Sequence, residues 1–143
     1  MTQGSMAYRA NQAYRGAAVT VPPLRAVAML CGGAIILLQR SVEAQEARRF
    51  EEGHESLMRA TAILRGLSHH LDFVRGGAVA ERLYQTYNAL ILACLRSYCR
   101  PNARESFARI IASLSDLREA WEYVDKNLTR PDRGVGGESA VRR

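Results

Sequence analysis

Glu51 and His54 have the spacing of a metal-binding pair. A carboxylate and an imidazole three residues apart supply ligands in di-iron helical bundles, and the segment FEEGHES contains such a pair. A di-iron site also needs a second pair of this kind and two further inward glutamates. Because Gly53 lies between the two residues, we expect the segment to be a loop. We therefore predict no metal centre here.

His69 and His70 are adjacent, so on a helix their side chains point about 100° apart and cannot share one ion. We expect both at the surface, near a helix end. Cys31, Cys94 and Cys99 have no histidine on the same predicted helix face. The sequence also lacks a glycine-rich phosphate loop and a serine in a nucleophile elbow. It therefore predicts no catalytic residue, no metal, no cofactor and no enzyme.

The composition is that of one helical domain. The 143 residues are 48% hydrophobic but only 7% aromatic, with four prolines. The cysteines are odd in number, and Cys31 and Cys94 lie in apolar helical patterns, where cysteine acts as a small hydrophobe. The first apolar run begins only after Arg25, so we expect no secretory signal. These features favour a reducing, cytoplasmic compartment.

The net charge is +6, and 19 of the 20 basic residues are arginines spread along the chain. A solvated surface explains this distribution, and an acidic protein partner is the next explanation. No basic run is interleaved with aromatic residues, so we expect no binding to nucleic acid.

Apolar residues at three- and four-residue spacing predict four helices. The first runs from about Pro22 to about Arg49. The second follows the FEEGHES loop and stops at Gly76 and Gly77, which suit the left-handed conformation that closes helices. The third ends before Pro101, which cannot continue it.

The fourth helix has a near-heptad stripe in which Trp121 is expected to be a core residue. Four helices joined by short loops run up and down as neighbours, so the predicted fold is all-α, an antiparallel up-and-down four-helix bundle. We assign residues 1–21 to a mobile N-terminal arm with a short helical turn, and residues 22–128 to the bundle. Residues 129–143 hold glycine, proline and charge and are expected to be a flexible tail.

Helix 1 is apolar on nearly every side. Its segment AVAMLCGGAIILL has thirteen residues without a charge, and at 1.5 Å per residue it spans about 20 Å, short of the roughly 30 Å hydrocarbon core of a bilayer. One side forms an ordinary core stripe, but four apolar residues point elsewhere: Met29, Leu30, Ile36 and Leu37. The alternatives for their cover are the N-terminal arm, a second copy or a different chain. The remaining alternative is that helix 1 is the central helix of an irregular bundle.

Helix 3 carries a second apolar row beside its main stripe: Tyr84, Ile91, Leu95 and Tyr98. The two tyrosines of this row either pack with their hydroxyls in water or line a groove, and both interpretations stay open.

Three segments carry a family resemblance: MLCGGAIILL in helix 1, LDFVRGGAVAERLYQTY over residues 71–87 and LREAWEYV over residues 117–124. They resemble, in order and interval, the flagellar secretion chaperone family FliS, which binds flagellin. The family pattern has Met-Leu-Tyr-Asp-Gly in the first helix, Leu-Asp-Phe with glycines before a helix opening near Leu-Tyr, and Leu-Arg-x-Ala-Trp in the last. This chain has Cys31 and Gly32 where the family has Tyr followed by Asp or Asn. The resemblance covers about residues 7 to 124.

The resemblance implies a cytoplasmic export chaperone. It would bind the C-terminal segment of flagellin, prevent premature polymerisation and deliver the client to the flagellar type III export apparatus, where a gate component is a further partner. We expect no membrane insertion, and a monomer or weak homodimer. The alternative is a self-associating structural or adaptor bundle with helix 1 as a homodimer seam.

The partner-binding residues that we expect are the surplus apolar side chains of helices 1 and 3: Met29, Leu30, Ile36, Leu37, Tyr84, Ile91, Leu95 and Tyr98. In the family, the N-terminal arm covers part of the binding surface until the client displaces it. The resemblance therefore implies that Tyr8 and Tyr14 form an N-terminal cap on the groove.

Overall fold

The computed structural model describes residues 3–14 and 23–128. The helices are α1 (Gln3–Ala13), α2 (Pro23–Glu46), α3 (Phe50–His69), α4 (Phe73–Ser97) and α5 (Ala103–Leu128). The described ranges contain no strand, and the all-α class predicted from the sequence is confirmed. The predicted tail at 129–143 lies outside the described residues, as does the segment 15–22 between α1 and α2.

The core lies between α2, α3, α4 and α5. α2 packs against α3 and α5, α3 packs against α4, and α4 packs against α5, so the contacts close a ring. Most of the apolar stripe predicted for each helix of the bundle is buried or partly buried; on α3, Leu57, Leu64 and Leu67 are all buried. Trp121 is buried on α5, as expected. His69 and His70 are exposed at the end of α3, also as expected.

The segment FEEGHES is helical, and the loop predicted there is wrong. α3 begins at Phe50, and Glu51 and Glu52 in its first turn interact favourably with the positive end of the helix dipole. Gly53 is buried against α2, where an added Cβ would lie 3.3 Å from the Ser41 carbonyl oxygen. The Ser41 hydroxyl donates a hydrogen bond to the Gly53 carbonyl oxygen over 2.8 Å. The glycine allows two helices to approach closely, and it does not interrupt α3.

The boundary between the second and third predicted helices lies earlier than expected. α3 ends at His69, and Asp72 caps the next helix because its carboxylate accepts a hydrogen bond from the Arg75 backbone N–H over 3.0 Å. Gly77 has the expected positive φ, +54°, but it produces a kink in the first turns of α4. The two glycines therefore lie within α4 and do not end α3.

α2 is longer than its uncharged segment, which corrects the argument from length against a membrane span. Its 24 residues extend about 36 Å, and by length and composition alone Leu24–Glu46 is apolar enough to cross a bilayer. In the fold, however, 44% of the most apolar 18-residue stretch of this segment is buried within the protein. The core helices of soluble bundles also have this length and composition.

Candidate partner-binding surface

The outer side of α2 exposes three of the four surplus residues predicted there. Met29 is 66% exposed and Ile36 is 49% exposed, and Leu30 is also largely accessible. Leu37 is only 7% exposed, so its predicted outward position is wrong. It lies one turn after Gly33, whose missing Cβ faces Ile63 of α3 at 3.8 Å, so Leu37 is on the side of α2 that α3 covers.

Met29 and Ile36 border a groove between α2 and α5. Two neighbouring cavities of about 580 Å³ and 620 Å³ lie along it, and Met29, Gly32 and Arg118 line both of them. Towards one end, Arg25 of α2 forms an ion pair with Asp125 of α5 over 3.6 Å. The α2–α5 groove therefore combines exposed apolar side chains with a charged wall.

The apolar row on α4 is also mostly accessible. Tyr84 and Leu95 are exposed as predicted, and Leu92, which was not among the predicted site residues, is exposed too. Ile91 is buried, which corrects its prediction: it lies one turn after the fully buried Tyr87 and shares its inward face. Tyr98 is half-buried, and its hydroxyl donates a hydrogen bond to the Phe50 carbonyl oxygen over 2.7 Å.

Two exposed residues at the start of α4 extend this apolar surface. Phe73 packs edge to face against Tyr84, with ring centroids 5.6 Å apart, and Val74 beside it is 91% exposed. The sequence motif shared with the family includes both residues. Periodicity did not identify them, because the beginning of α4 was assigned to the end of the preceding helix. The α4 patch, which we define as Phe73, Val74, Tyr84, Leu92 and Leu95, is separate from the α2–α5 groove.

The N-terminal arm contains a helix of eleven residues, which is more order than the short turn expected. α1 packs mainly on α4 and also touches α5. Its end is fixed by a hydrogen bond of 2.7 Å from the Asp72 N–H to the Ala13 carbonyl oxygen. Gly76 faces the same point, where an added Cβ would lie 3.0 Å from the Ala13 Cα atom.

Tyr14 is buried among core residues, and its expected role as part of a cap on the groove stays a prediction. Only 2% of it is exposed, and its hydroxyl donates to the Leu67 carbonyl oxygen over 2.6 Å and forms a hydrogen bond of 3.1 Å with the Tyr87 hydroxyl. Its ring packs edge to face on Trp121, with centroids 5.4 Å apart. Burial raises the pKa of Tyr14 far above its usual range, and the neighbouring Tyr87 adds to this. Tyr8, by contrast, is 59% exposed.

The body of α1 does not seal the surface beneath it. An apolar cavity of about 510 Å³ lies between α1, α4 and α5, with Met6 and Ala10 on one side and Leu83, Trp121 and Val124 among the residues opposite. α1 is thus anchored at Ala13 and Tyr14 and loosely packed nearer its beginning.

Cys31, Cys94 and His54 have the neighbours of residues that stabilise the fold. Burial raises the pKa of Cys31 to about 12, with a smaller opposing effect of Arg118, and burial raises the pKa of Cys94 to about 11. Both thiols therefore stay protonated at neutral pH. His54 packs edge to face against the Tyr98 ring, with centroids 5.9 Å apart. Within residues 3–14 and 23–128, no three His, Cys, Asp or Glu side chains are placed to hold a metal ion.

Comparison with known proteins gives two concordant matches. Residues 6–128 match the family described as Flagellar protein FliS, a range that includes α2 to α5 and most of α1. The chain is also 29% identical over 122 residues to the Flagellar secretion chaperone FliS of Salmonella typhimurium, covering 85% of this chain and 89% of that protein. The resemblance found in the sequence motifs is therefore confirmed, and the chain belongs to the FliS family of flagellar proteins.

Proposed function

We propose that this protein is a non-enzymatic chaperone of the bacterial cytoplasm that binds the C-terminal segment of flagellin. By covering that amphipathic segment, it prevents premature polymerisation and keeps flagellin suitable for the type III export apparatus. The observation that carries the proposal is the exposure of large apolar side chains on a folded bundle of this family, above all Met29 and Ile36.

The proposed mechanism is the docking of an amphipathic helix into grooves of the chaperone. Met29 and Ile36 in the α2–α5 groove and the α4 patch offer apolar contacts to such a helix. A client that becomes ordered only on binding loses conformational entropy, so a large contact surface is required. The half-exposed side chains on α2 and α4 provide a surface of this kind in two parts.

α1 has a place in this mechanism as a removable cover. Its body lies over the apolar cavity between α4 and α5, and Met6 and Tyr8 are exposed on it. Displacement of this body by the client would uncover Leu83 and Val124 of the cavity wall. The buried contacts of Ala13 and Tyr14 oppose the displacement and set its free-energy cost.

The decisive experiment is calorimetric titration of the purified protein with a C-terminal fragment of flagellin from the same organism. A fragment of equal length from the middle of flagellin is the control. We expect a 1:1 complex with the C-terminal fragment alone. Absence of binding by the folded protein would refute the proposal.

Light scattering on the same samples tests the homodimer alternative. A flagellin chaperone of the proposed kind is a monomer whose mass does not change with concentration and becomes a 1:1 complex with the fragment. A tight dimer that ignores the fragment would instead identify the exposed surface of α2 as a seam between two copies.

A further inference from the structure

Arg118 has an unusual position in the α2–α5 groove. Its side chain is 37% exposed, yet its Nε atom is buried and has no hydrogen-bond partner among the described residues. Its ion pair with Glu122, one turn later on α5, is long, at 4.0 Å, and the Glu122 side chain is itself 59% exposed. A guanidinium carries five N–H donors, and because the side chain is partly exposed, Arg118 can donate to a carboxylate that enters the groove.

The floor of the groove leaves this guanidinium accessible. Gly32 of α2 lies opposite Arg118, and an added Cβ would be 3.6 Å from the Arg118 Nη1 atom, an ordinary van der Waals distance. Alanine would therefore fit the internal packing, and glycine inside a helix costs about 1 kcal/mol relative to alanine. The internal packing of the bundle thus gives no reason for glycine here. The missing side chain keeps the groove open beside the positive charge.

Exposed apolar side chains flank the charge on both sides. Met29 and Ile36 are separated by two helical turns, about 10 Å along α2, and Gly32 and Gly33 lie between them. Both residues line the cavity that Arg118 also lines. The order along the groove is apolar, positive, apolar.

We propose that the α2–α5 groove receives a client helix that places an acidic side chain on Arg118 and apolar side chains on Met29 and Ile36. This inference deepens the proposed chaperone function and rests on it. A matching client helix has apolar residues seven positions apart and an Asp or Glu three or four positions after the first of them, because these positions share one helix face. Charge complementarity selects this occupant, since a carboxylate can accept two hydrogen bonds from one guanidinium.

Electrostatic repulsion makes a second copy of the chain a poor occupant of the α2–α5 groove. The protein has a net charge of +6, and a symmetric dimer through this groove would place Arg118 against the same region of its copy. Arg25, Arg118 and Lys126 outnumber the two carboxylates of the groove, Glu122 and Asp125, so the groove is net positive and repels the same groove of a second copy. A separate chain with an acidic side chain avoids this repulsion.

The test is a double-mutant cycle between this protein and the C-terminal flagellin fragment, measured by calorimetry. We expect Arg118→Gln to weaken binding about tenfold, because a hydrogen bond to a charged group is lost. Arg109→Gln is the matched control, since Arg109 is exposed on the opposite face of α5 and should have little effect. Each Asp and Glu of the fragment is replaced by its amide in turn. One of these changes should weaken binding to the unaltered protein and have little further effect on Arg118→Gln.

A second pair of variants keeps the test informative if Arg118→Gln reduces folding. Gly32→Asp places an internal carboxylate beside the guanidinium, whereas Gly32→Asn adds nearly the same volume without charge. We expect the sensitivity to the critical client carboxylate to disappear in Gly32→Asp and to persist in Gly32→Asn.

The outcomes separate this inference from the proposed function. If the unaltered protein binds no flagellin fragment, the chaperone function itself is wrong. If it binds but every acidic substitution is additive with Arg118→Gln, the Arg118 contact is wrong and the chaperone function stands. If a variant truncated after Leu128 loses the Arg118 effect, or if Arg118→Gln changes the mass in light scattering, the occupant is the chain's own C-terminal segment or a second copy, and the inference is overturned.

Discussion

Tyr14→Phe is the substitution that most directly tests whether α1 is a removable cover. The change deletes one hydroxyl and keeps the ring that packs on Trp121. The hydroxyl satisfies the carbonyl of Leu67, in the last turn of α3, where carbonyls lack a partner within their own helix. It also forms the 3.1 Å hydrogen bond with Tyr87. In Tyr14→Phe, the Leu67 carbonyl and the Tyr87 hydroxyl would each lose this hydrogen-bond partner.

The expected cost follows from these two bonds. A hydrogen bond contributes about 0.5–1.5 kcal/mol, and an unsatisfied buried partner costs about 1–3 kcal/mol, so we expect the free energy of unfolding to fall by about 1–2 kcal/mol. Tyr14→Ala would also lose the buried ring, at about 3–5 kcal/mol, and that is a large part of a typical stability of about 5–15 kcal/mol. The phenylalanine variant therefore perturbs α1 while keeping the protein folded.

Client affinity should change in the opposite direction to stability. If flagellin must displace α1, the free energy that docks α1 is subtracted from the binding free energy. Weakening the dock by about 1.4 kcal/mol then strengthens binding by up to tenfold. If flagellin binds with α1 in place, the same variant loses stability and keeps its affinity.

Urea denaturation and calorimetry measure the two quantities. Trp121 is the only tryptophan and lies 5.4 Å from the Tyr14 ring, so its fluorescence also reports local release of α1. Tyr8→Phe is the matched control, because Tyr8 is 59% exposed and should change stability by less than about 0.5 kcal/mol. A Tyr14→Phe protein that is less stable but binds flagellin no more tightly would refute the role of α1 as a cover.

Three further predictions concern other parts of the molecule. Ile36→Asp should weaken client binding with little change in stability, whereas Leu37→Asp should lower the melting temperature strongly, because Leu37 is buried and Ile36 is not; equal melting temperatures would contradict the assignment. Gly76→Ala should destabilise the fold and loosen α1, since the added Cβ would lie 2.7 Å from the Ala80 Cβ atom. Gly66 has open space around it, so Gly66→Ala should stabilise α3 by up to about 1 kcal/mol. The urea midpoint should therefore fall in the first variant and rise in the second. Burial raises the pKa of Cys31 from 9.0 to about 12, so the folded state retains a proton that the unfolded state releases, and stability should fall as pH rises from about 9 towards 12; a Cys31→Ala variant with an equally steep decline would contradict this cause.

Periodicity in the sequence was sufficient for positions that have one clear face. On α3, Leu57, Leu64 and Leu67 follow a single stripe, and all of them are buried. Met29 and Ile36 were expected outside the core because they point away from the α2 stripe, and both are exposed. A one-dimensional pattern can identify these positions because the bundle covers one side of each helix.

The incorrect expectations have one physical cause in common, the proximity of a second helix. Leu37 and Ile91 lie at the edge of a stripe, where neighbouring helices decide whether a side chain is covered. Gly53 suggested a loop, but it allows α3 to approach Ser41 of α2. Tyr14 is separated from Leu67 by 53 residues, and no local pattern predicts a hydrogen bond across that distance.

The arrangement of the exposed surfaces constrains how tightly any client can bind. Further burial of the half-exposed Met29 and Ile36 provides on the order of 1–2 kcal/mol each, whereas association costs at least about 4 kcal/mol in lost translational and rotational freedom. A short helix in the α2–α5 groove alone would therefore bind weakly.

The α4 patch is on a different side of the ring. α2 packs on α3 and α5, and α4 packs on the same two helices, so α4 lies across the ring from α2. A single long client that contacts both surfaces incurs the association cost once, and the second contact benefits from a high effective concentration. Tight binding to this bundle therefore requires a long segment that follows its surface. Removal of either contact region should lower the affinity by far more than the weak affinity of that region as a separate fragment would suggest.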